Sequence, residues 1–167
     1  MNSCTTVRFD YPTGLAVDTS NNIYITDTGF NRICKFTSKG DVNAFASDSA
    51  EAEMQFNRPH GAAIDSAGNV YVTDENNYRV CKITPEGLVN TLAGGTQGVR
   101  DGIGTEAQFN NLDGVAVNTE GDLYIADSGN RRICKMTQQG VVSAFAGSIW
   151  GFRNDLGKRQ ISKVFVA

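Results

Sequence analysis

Histidine, proline and tryptophan are scarce in this sequence: one, three and one in 167 residues. The lone histidine, His60, rules out a multi-histidine metal centre within one chain and restricts acid–base chemistry that depends on imidazole. With so little proline the chain is not of the proline-rich, low-complexity kind. A cationic excess is also missing, since 15 Lys and Arg stand against 18 Asp and Glu for a net charge of −3. That balance leaves no electrostatic footprint for nucleic acid, which is therefore not expected as a partner. Long apolar runs are absent. The longest uncharged apolar stretch, Val141 to Phe152, includes Ser and Gly and is shorter than the roughly 20 residues that span a bilayer. The first residues, MNSCTTVRFDYP, lack a signal-peptide apolar core and carry Arg8 and Asp10 early. No membrane association is expected, and a cytoplasmic location is the weak default.

What is plentiful is glycine, with 18 residues, above the usual level of roughly 7%. The excess has a pattern. Phe9–Ser47, Phe56–Gly94 and Phe109–Gly147 align without a gap, and their middle parts read NNIYITDTGFNRICKFTSKGDV, GNVYVTDENNYRVCKITPEGLV and GDLYIADSGNRRICKMTQQGVV. Columns identical in all three copies include Gly14/Gly61/Gly114, Tyr24/Tyr71/Tyr124, Asp27/Asp74/Asp127 and Arg32/Arg79/Arg132.

Each copy predicts four short strands, GLAVD, NIYITD, RICKFT and VNAFA in the first. All are rich in β-branched or aromatic residues and bounded by Gly, Asn, Asp or Ser. The turns SKG, PEG and QQG end in a glycine that takes positive φ without a Cβ penalty. The second strand is apolar on both faces, which calls for cover on both sides. Four-stranded units of this length, each needing a neighbour on either face, describe propeller blades. The expected fold is all-β: a β-propeller segment of about three four-stranded antiparallel blades.

At these residues the sequence resembles the NHL repeat family, whose pattern P-x-G-x-A-V-D…G-N-x-Y-V-x-D-x-x-N-x-R-I-x-K runs through all three copies. The stretch TLAGGTQGVRDGIGTEAQFNNLDGVAV is similar to that family's longer linker. Leu112 in place of proline and Asn118 in place of Asp are local departures. The resulting organisation is a lead-in at 1–8, blades at 9–47, 56–94 and 109–147, a linker at 48–55 and a Gly-rich linker at 95–108. Residues 148–167 read as a linker and the truncated start of a fourth blade, with Trp150 covering a blade edge. Three blades are fewer than the four to eight that close a ring. The segment is therefore expected to be part of a larger propeller or to be completed by self-association, with residues 160–167 adding a strand to a second copy.

Functional residues divide by whether they repeat. Cys34, Cys81 and Cys134 share one strand position, too far apart for disulfides between blades, and read as reduced packing residues; Cys4 has no assigned role. Asp27, Asp74 and Asp127 face Arg32, Arg79 and Arg132 across one hairpin in every copy. A single active site needs no copy in every blade, so these pairs read as fasteners of the hairpin. Between them the tips vary: TGFN, ENNY and SGNR. That variation makes Phe30, Asn31, Asn77, Tyr78, Asn130 and Arg131 the candidate binding residues on a rigid scaffold.

The linker GGTQGVRDGIG lacks the lysine and strand-to-helix context of a phosphate loop. The expected function is a non-catalytic scaffold presenting a protein-interaction surface, with no catalytic residue, no metal ligand and no cofactor. The resemblance implies two alternatives, a metal-dependent lyase or lactonase with ligands around the channel, near His60, and an RNA-binding NHL domain.

Overall fold

The computed structural model describes residues 8–46 and 56–147. The expected start of a fourth blade, Trp150 and Cys4 lie outside the described residues. Strands occupy the expected places. Blade 1 is built from β1 (Pro12–Val17), β2 (Ile23–Asp27), β3 (Arg32–Phe36) and β4 (Val42–Ala46). Blade 2 holds β5 (Pro59–Ile64), β6 (Val70–Asp74), β7 (Arg79–Ile83) and β8 (Val89–Gly94). A short strand, β9 (Gly102–Ile103), precedes β10 (Leu112–Val117), β11 (Leu123–Asp127), β12 (Arg132–Met136) and β13 (Val141–Gly147) of blade 3. There is no α-helix among the described residues. Each blade is an antiparallel meander in chain order, and the three do not close a ring. The fold is a partial β-propeller.

Two register shifts recur in every blade. One falls at the cysteine, between Ile33 and Cys34, Val80 and Cys81, and Ile133 and Cys134. The other lies at the start of the first strand, which begins two residues ahead of Gly14, at Pro12. Such bulges sharpen the local twist and recur where the sequence recurs. The turns between third and fourth strands close as expected, with Gly40, Gly87 and Gly140 at φ between 79° and 92°.

The Gly-rich linker is more than a connection. Its Gly102–Ile103 pairs antiparallel with Val141–Val142 as a fifth strand on the outer edge of blade 3. Asp101 pins it there, because one carboxylate oxygen pairs with Arg132 at 2.7 Å and the other accepts the Ala144 N–H at 3.1 Å.

Apolar packing lies between blades. One buried cluster joins Tyr24, Ile33 and Ala46 of blade 1 to Val70, Val72 and Ile83 of blade 2. A second joins Tyr71, Val80 and Ala93 of blade 2 to Leu123, Ile125 and Met136 of blade 3. The face that a next blade would cover stays open on blade 3: Ile133 is 37% exposed, whereas its counterparts Ile33 and Val80 are fully buried.

Hydroxyl groups stitch one blade to the next. Thr26 Oγ1 accepts the Gly14 N–H at 2.7 Å and donates to the His60 carbonyl at 2.6 Å. Thr13 donates to the same carbonyl, and Thr28 to that of Pro59. Thr73 repeats the arrangement between Gly61 and the Asp113 carbonyl. Ala126 stands at the matching place in blade 3, without a hydroxyl. The first strands therefore run close together, so a Cβ on Gly61 would sit 2.5 Å from the Asp113 carbonyl oxygen.

Candidate functional site

The repeated carboxylates and guanidinia meet at the end of the second strand. Arg32, Arg79 and Arg132 each direct Nε to Asp27, Asp74 or Asp127, at 2.7, 2.8 and 2.7 Å. All three carboxylates are fully buried. Their other oxygen accepts a backbone N–H from the segment leading into the first strand: Asp10 to Asp27, Asn57 to Asp74 and Asn110 to Asp127. The spare guanidinium nitrogens reach further, Arg32 to the Arg8 carbonyl, Arg79 to the Thr91 hydroxyl, and Arg132 to Asp101 and the Gln108 carbonyl. One ion pair thus ties together the hairpin, the segment before it and, in blade 3, the linker. Burial pushes the Asp74 carboxyl above its usual range, against the pull of its bonds to Asn57, Asn77 and Arg79. Both oxygens of each carboxylate therefore have partners within the fold, as buried charged groups require.

Beyond each Asp the chain makes a single 3₁₀ turn, at Thr28–Phe30, Glu75–Asn77 and Ser128–Asn130. A residue in the left-handed region follows in each case: Asn31 (φ 51°), Tyr78 (φ 53°) and Arg131 (φ 55°). Only one of the three is of a type that favours this conformation. The tip sequences therefore vary at constant backbone geometry.

The six tip residues do not form one outward-facing set. Phe30 is exposed and lies against the Arg32 guanidinium, 4.9 Å from its ring centre. Arg131 is exposed and Tyr78 half-buried. The asparagines point inward. Asn31 Oδ1 accepts the Arg58 N–H at 2.7 Å and so joins blade 1 to blade 2. Asn77 donates to Asp74, and Asn130 donates to both oxygens of Asp127 and to the Gly98 carbonyl. These three candidate binding residues thus bond within the fold as well, Asn31 as an acceptor and Asn77 and Asn130 as donors.

A second row of left-handed corners escaped the sequence reading: Tyr11 (φ 54°), Arg58 (φ 56°) and Asn111 (φ 48°), just ahead of each first strand. This row abuts the tips through backbone bonds, Gly29 N–H to Asp10, Glu75 N–H to Arg58 and Ser128 N–H to Asn111. Tyr11 is exposed, and Arg58 reaches Glu75 at 3.2 Å. No glycine marks these positions, and their neighbours vary between copies as they do, FDYPTG, FNRPHG and FNNLDG, so no local sign of the corner stands in the sequence. One end of the blades thus carries Tyr11, Phe30, Arg58, Tyr78 and Arg131 on a backbone fixed from within.

The NHL repeat pattern matches residues 9–36, 56–83 and 109–136, which is half of the chain. The chain belongs to the NHL repeat family. No curated protein matches it. Among solved structures, a structural genomics protein of unknown function from Bacteroides thetaiotaomicron VPI-5482 shares 25% identity at a TM-score of 0.67, over 82% of this NHL chain and 36% of the other. A streptogramin B lyase shares 18% identity at 0.61, over 78% and 39%. A gluconolactonase from Xanthomonas campestris shares 12% identity at 0.65, over 84% and 48%. The NHL chain therefore spans less than half the length of each, and the two enzymes speak for the shared fold alone.

Two further regions bear on chemistry. On the first strands, which run side by side, His60 Nδ1 lies 4.0 Å from Asp113 Oδ1. Among the described residues no three His, Cys, Asp or Glu side chains come together as metal ligands. Cys81 and Cys134 are buried free thiols, and burial pushes both up to about 12. Cys34 departs from the expected reduced state of all three, since it is disulfide-bonded. Matching strand positions did not carry matching redox states.

Proposed function

We propose that this NHL chain is a non-catalytic binding module whose interaction surface is the tip end of the blades. The supporting observation is the exposed set Tyr11, Phe30, Arg58 and Arg131, with half-buried Tyr78, on two rows of corners whose side chains vary while their backbone does not. Aromatic and arginine side chains on a preorganised backbone supply the buried anchors of protein interfaces at little ordering cost. They suit a partner surface offering apolar groups together with carboxylates.

A photo-crosslinking residue at position 78, compared with one at Lys39 on the far end of the blades, tests the reading in extracts of the source organism. Defined adducts from position 78 and none from position 39 are expected. No adducts from position 78, or the same adducts from both, would refute it. A metal-dependent enzyme would instead draw on the first strands, where His60 and Asp113 stand. Stoichiometric calcium or zinc in the purified chain would favour that alternative. The exposed apolar residues at the two ends, Leu15 and Val17 on blade 1 and Ile133 on blade 3, are proposed to be covered by further blades or by a second copy. Solution mass separates those cases.

A further inference from the structure

The two seams between blades are built from equivalent residues but are not equally filled. In the seam between blades 1 and 2, Phe45 of β4 packs edge-on against Tyr24, with ring centres 4.8 Å apart. Lys35 lies over both rings, at 5.1 and 5.7 Å. The turn of blade 2 closes the seam from the other side, where a Cβ on Gly87 would come within 2.9 Å of the Phe45 carbonyl oxygen. Blade 3 keeps an aromatic at the same place, with Phe145 edge-on to Tyr124 at 5.2 Å. Blade 2 alone has an aliphatic residue there, Leu92.

Where Leu92 leaves the ring out, a cavity of about 340 Å³ opens between blades 2 and 3, at the end opposite the tips. A volume of this order suits a small ligand. Leu92, Leu123 and Met136 supply apolar walls, and Tyr71, Lys82 and Gln138 supply ring, cation and amide. The lysine differs from its counterparts. Lys135 is paired with Asp122 at 2.7 Å and Lys35 lies over two rings, whereas Asn69 stands where blade 3 has Asp122. Among the described residues no carboxylate lies within ion-pair distance of Lys82. The one carboxylate lining this cavity, Asp65, is already taken by the N–H groups of Ala67 and Asn69, the Asn69 amide and the Tyr71 hydroxyl.

The geometry points to a small-molecule site in this seam, for a carboxylate with a compact apolar body: the carboxylate on Lys82 and the body against Leu92 and Met136. It is separate from the tip face and does not depend on it.

The test is isothermal titration of the full chain with 3-phenylpropionate, and with 3-phenylpropanol as the uncharged counterpart. Wild type is expected to bind the carboxylate at millimolar concentration or better and the alcohol about fivefold more weakly, the order of one partly exposed ion pair. Lys82→Met should erase that preference while still binding the alcohol. Leu92→Phe restores the residue type that both other blades carry, so it should fold with an unchanged or raised Tm and lose both ligands. Absence of carboxylate binding to wild type would overturn the inference. So would a folded Leu92→Phe variant that binds as wild type does.

Discussion

Arg79 is the residue whose removal most directly examines how the hairpin pairs hold the fold. Arg79→Ala takes away the cation 2.8 Å from Asp74, a carboxylate with no solvent exposure. The Asn57 N–H and Asn77 amide still bond that carboxylate, but its charge is left unbalanced in a buried place. Breaking a buried pair from one side costs about 3–5 kcal/mol, well above the net worth of the pair. Against a typical domain stability of roughly 5–15 kcal/mol, that is a large share.

The loss should depend on pH. Burial already raises the Asp74 carboxyl above 3.8, so between 3.8 and its native value the folded state holds a proton that the unfolded state has released. Stability from this group is complete below 3.8 and falls as pH rises through the native value. Without Arg79 that native value moves higher, so the deficit should be largest at pH 7 and shrink toward pH 4. Urea denaturation followed by far-UV circular dichroism at pH 7, 5.5 and 4 measures it. Adding Asp74→Asn should recover about 1–2 kcal/mol at pH 7 by removing the stranded charge. A loss under about 1 kcal/mol at pH 7, or one independent of pH, would refute the argument.

Gly61→Ala should cost about 1–3 kcal/mol, because its Cβ would meet the Asp113 carbonyl and the Gly114 Cα across the seam, whereas a Cβ on Gly114 meets nothing within 4 Å. Gly114→Ala should then be neutral to within about 0.5 kcal/mol by the same denaturation, and a matching loss would show that something covers this face in solution. Tyr78 sits at φ 53°, so Tyr78→Gly should exceed Tyr78→Val in stability by about 1 kcal/mol or more; equal stabilities would mean that the corner is not held left-handed. For Asp65, burial raises the carboxyl but is outweighed by its bonds to Asn69, Tyr71 and Ala67, which hold it below 3.8. Its stabilisation is present above 3.8 and lost as pH falls through the lower native value, so Asp65→Asn should flatten the acid limb of a Tm-against-pH curve. The same change should bring the Tyr71 phenol, pushed up to about 12 by burial and by Asp65, back toward 10 in an ultraviolet titration.

The strands, turns and blade pairing were legible because each is local and each is written three times. The Gly turns, the alternating strands and the Asp–Arg hairpin depend on residues close in sequence. What could not be read is decided between segments. Asn130 looks like an exposed tip residue until Gly98 of the linker arrives beside it to accept its amide. Thr26 and Thr73 look like ordinary strand residues until the next blade brings a carbonyl to each hydroxyl. The left-handed corners at Tyr11 and Arg58 carry no glycine to announce them. The cavity at Leu92 is visible only as one column in which two aromatics flank an aliphatic, and its meaning needed the facing blade. The linker strand was hidden for the same reason, since Gly102–Ile103 is too short to show any periodicity of its own.

The stitching between blades also bears on which part of the molecule opens last. Blade 2 is the one with a described blade on each side, and β6 is buried at all five of its positions, while β2 leaves Ile23 exposed and β11 leaves Tyr124 and Ala126 half-buried. Local openings are cheapest where fewest neighbours must move with them. Amide hydrogen exchange should therefore be slowest along β6 and β7 and quicken toward both ends of the arc. The middle blade would carry the protected nucleus, with its neighbours acting as its solvent shield.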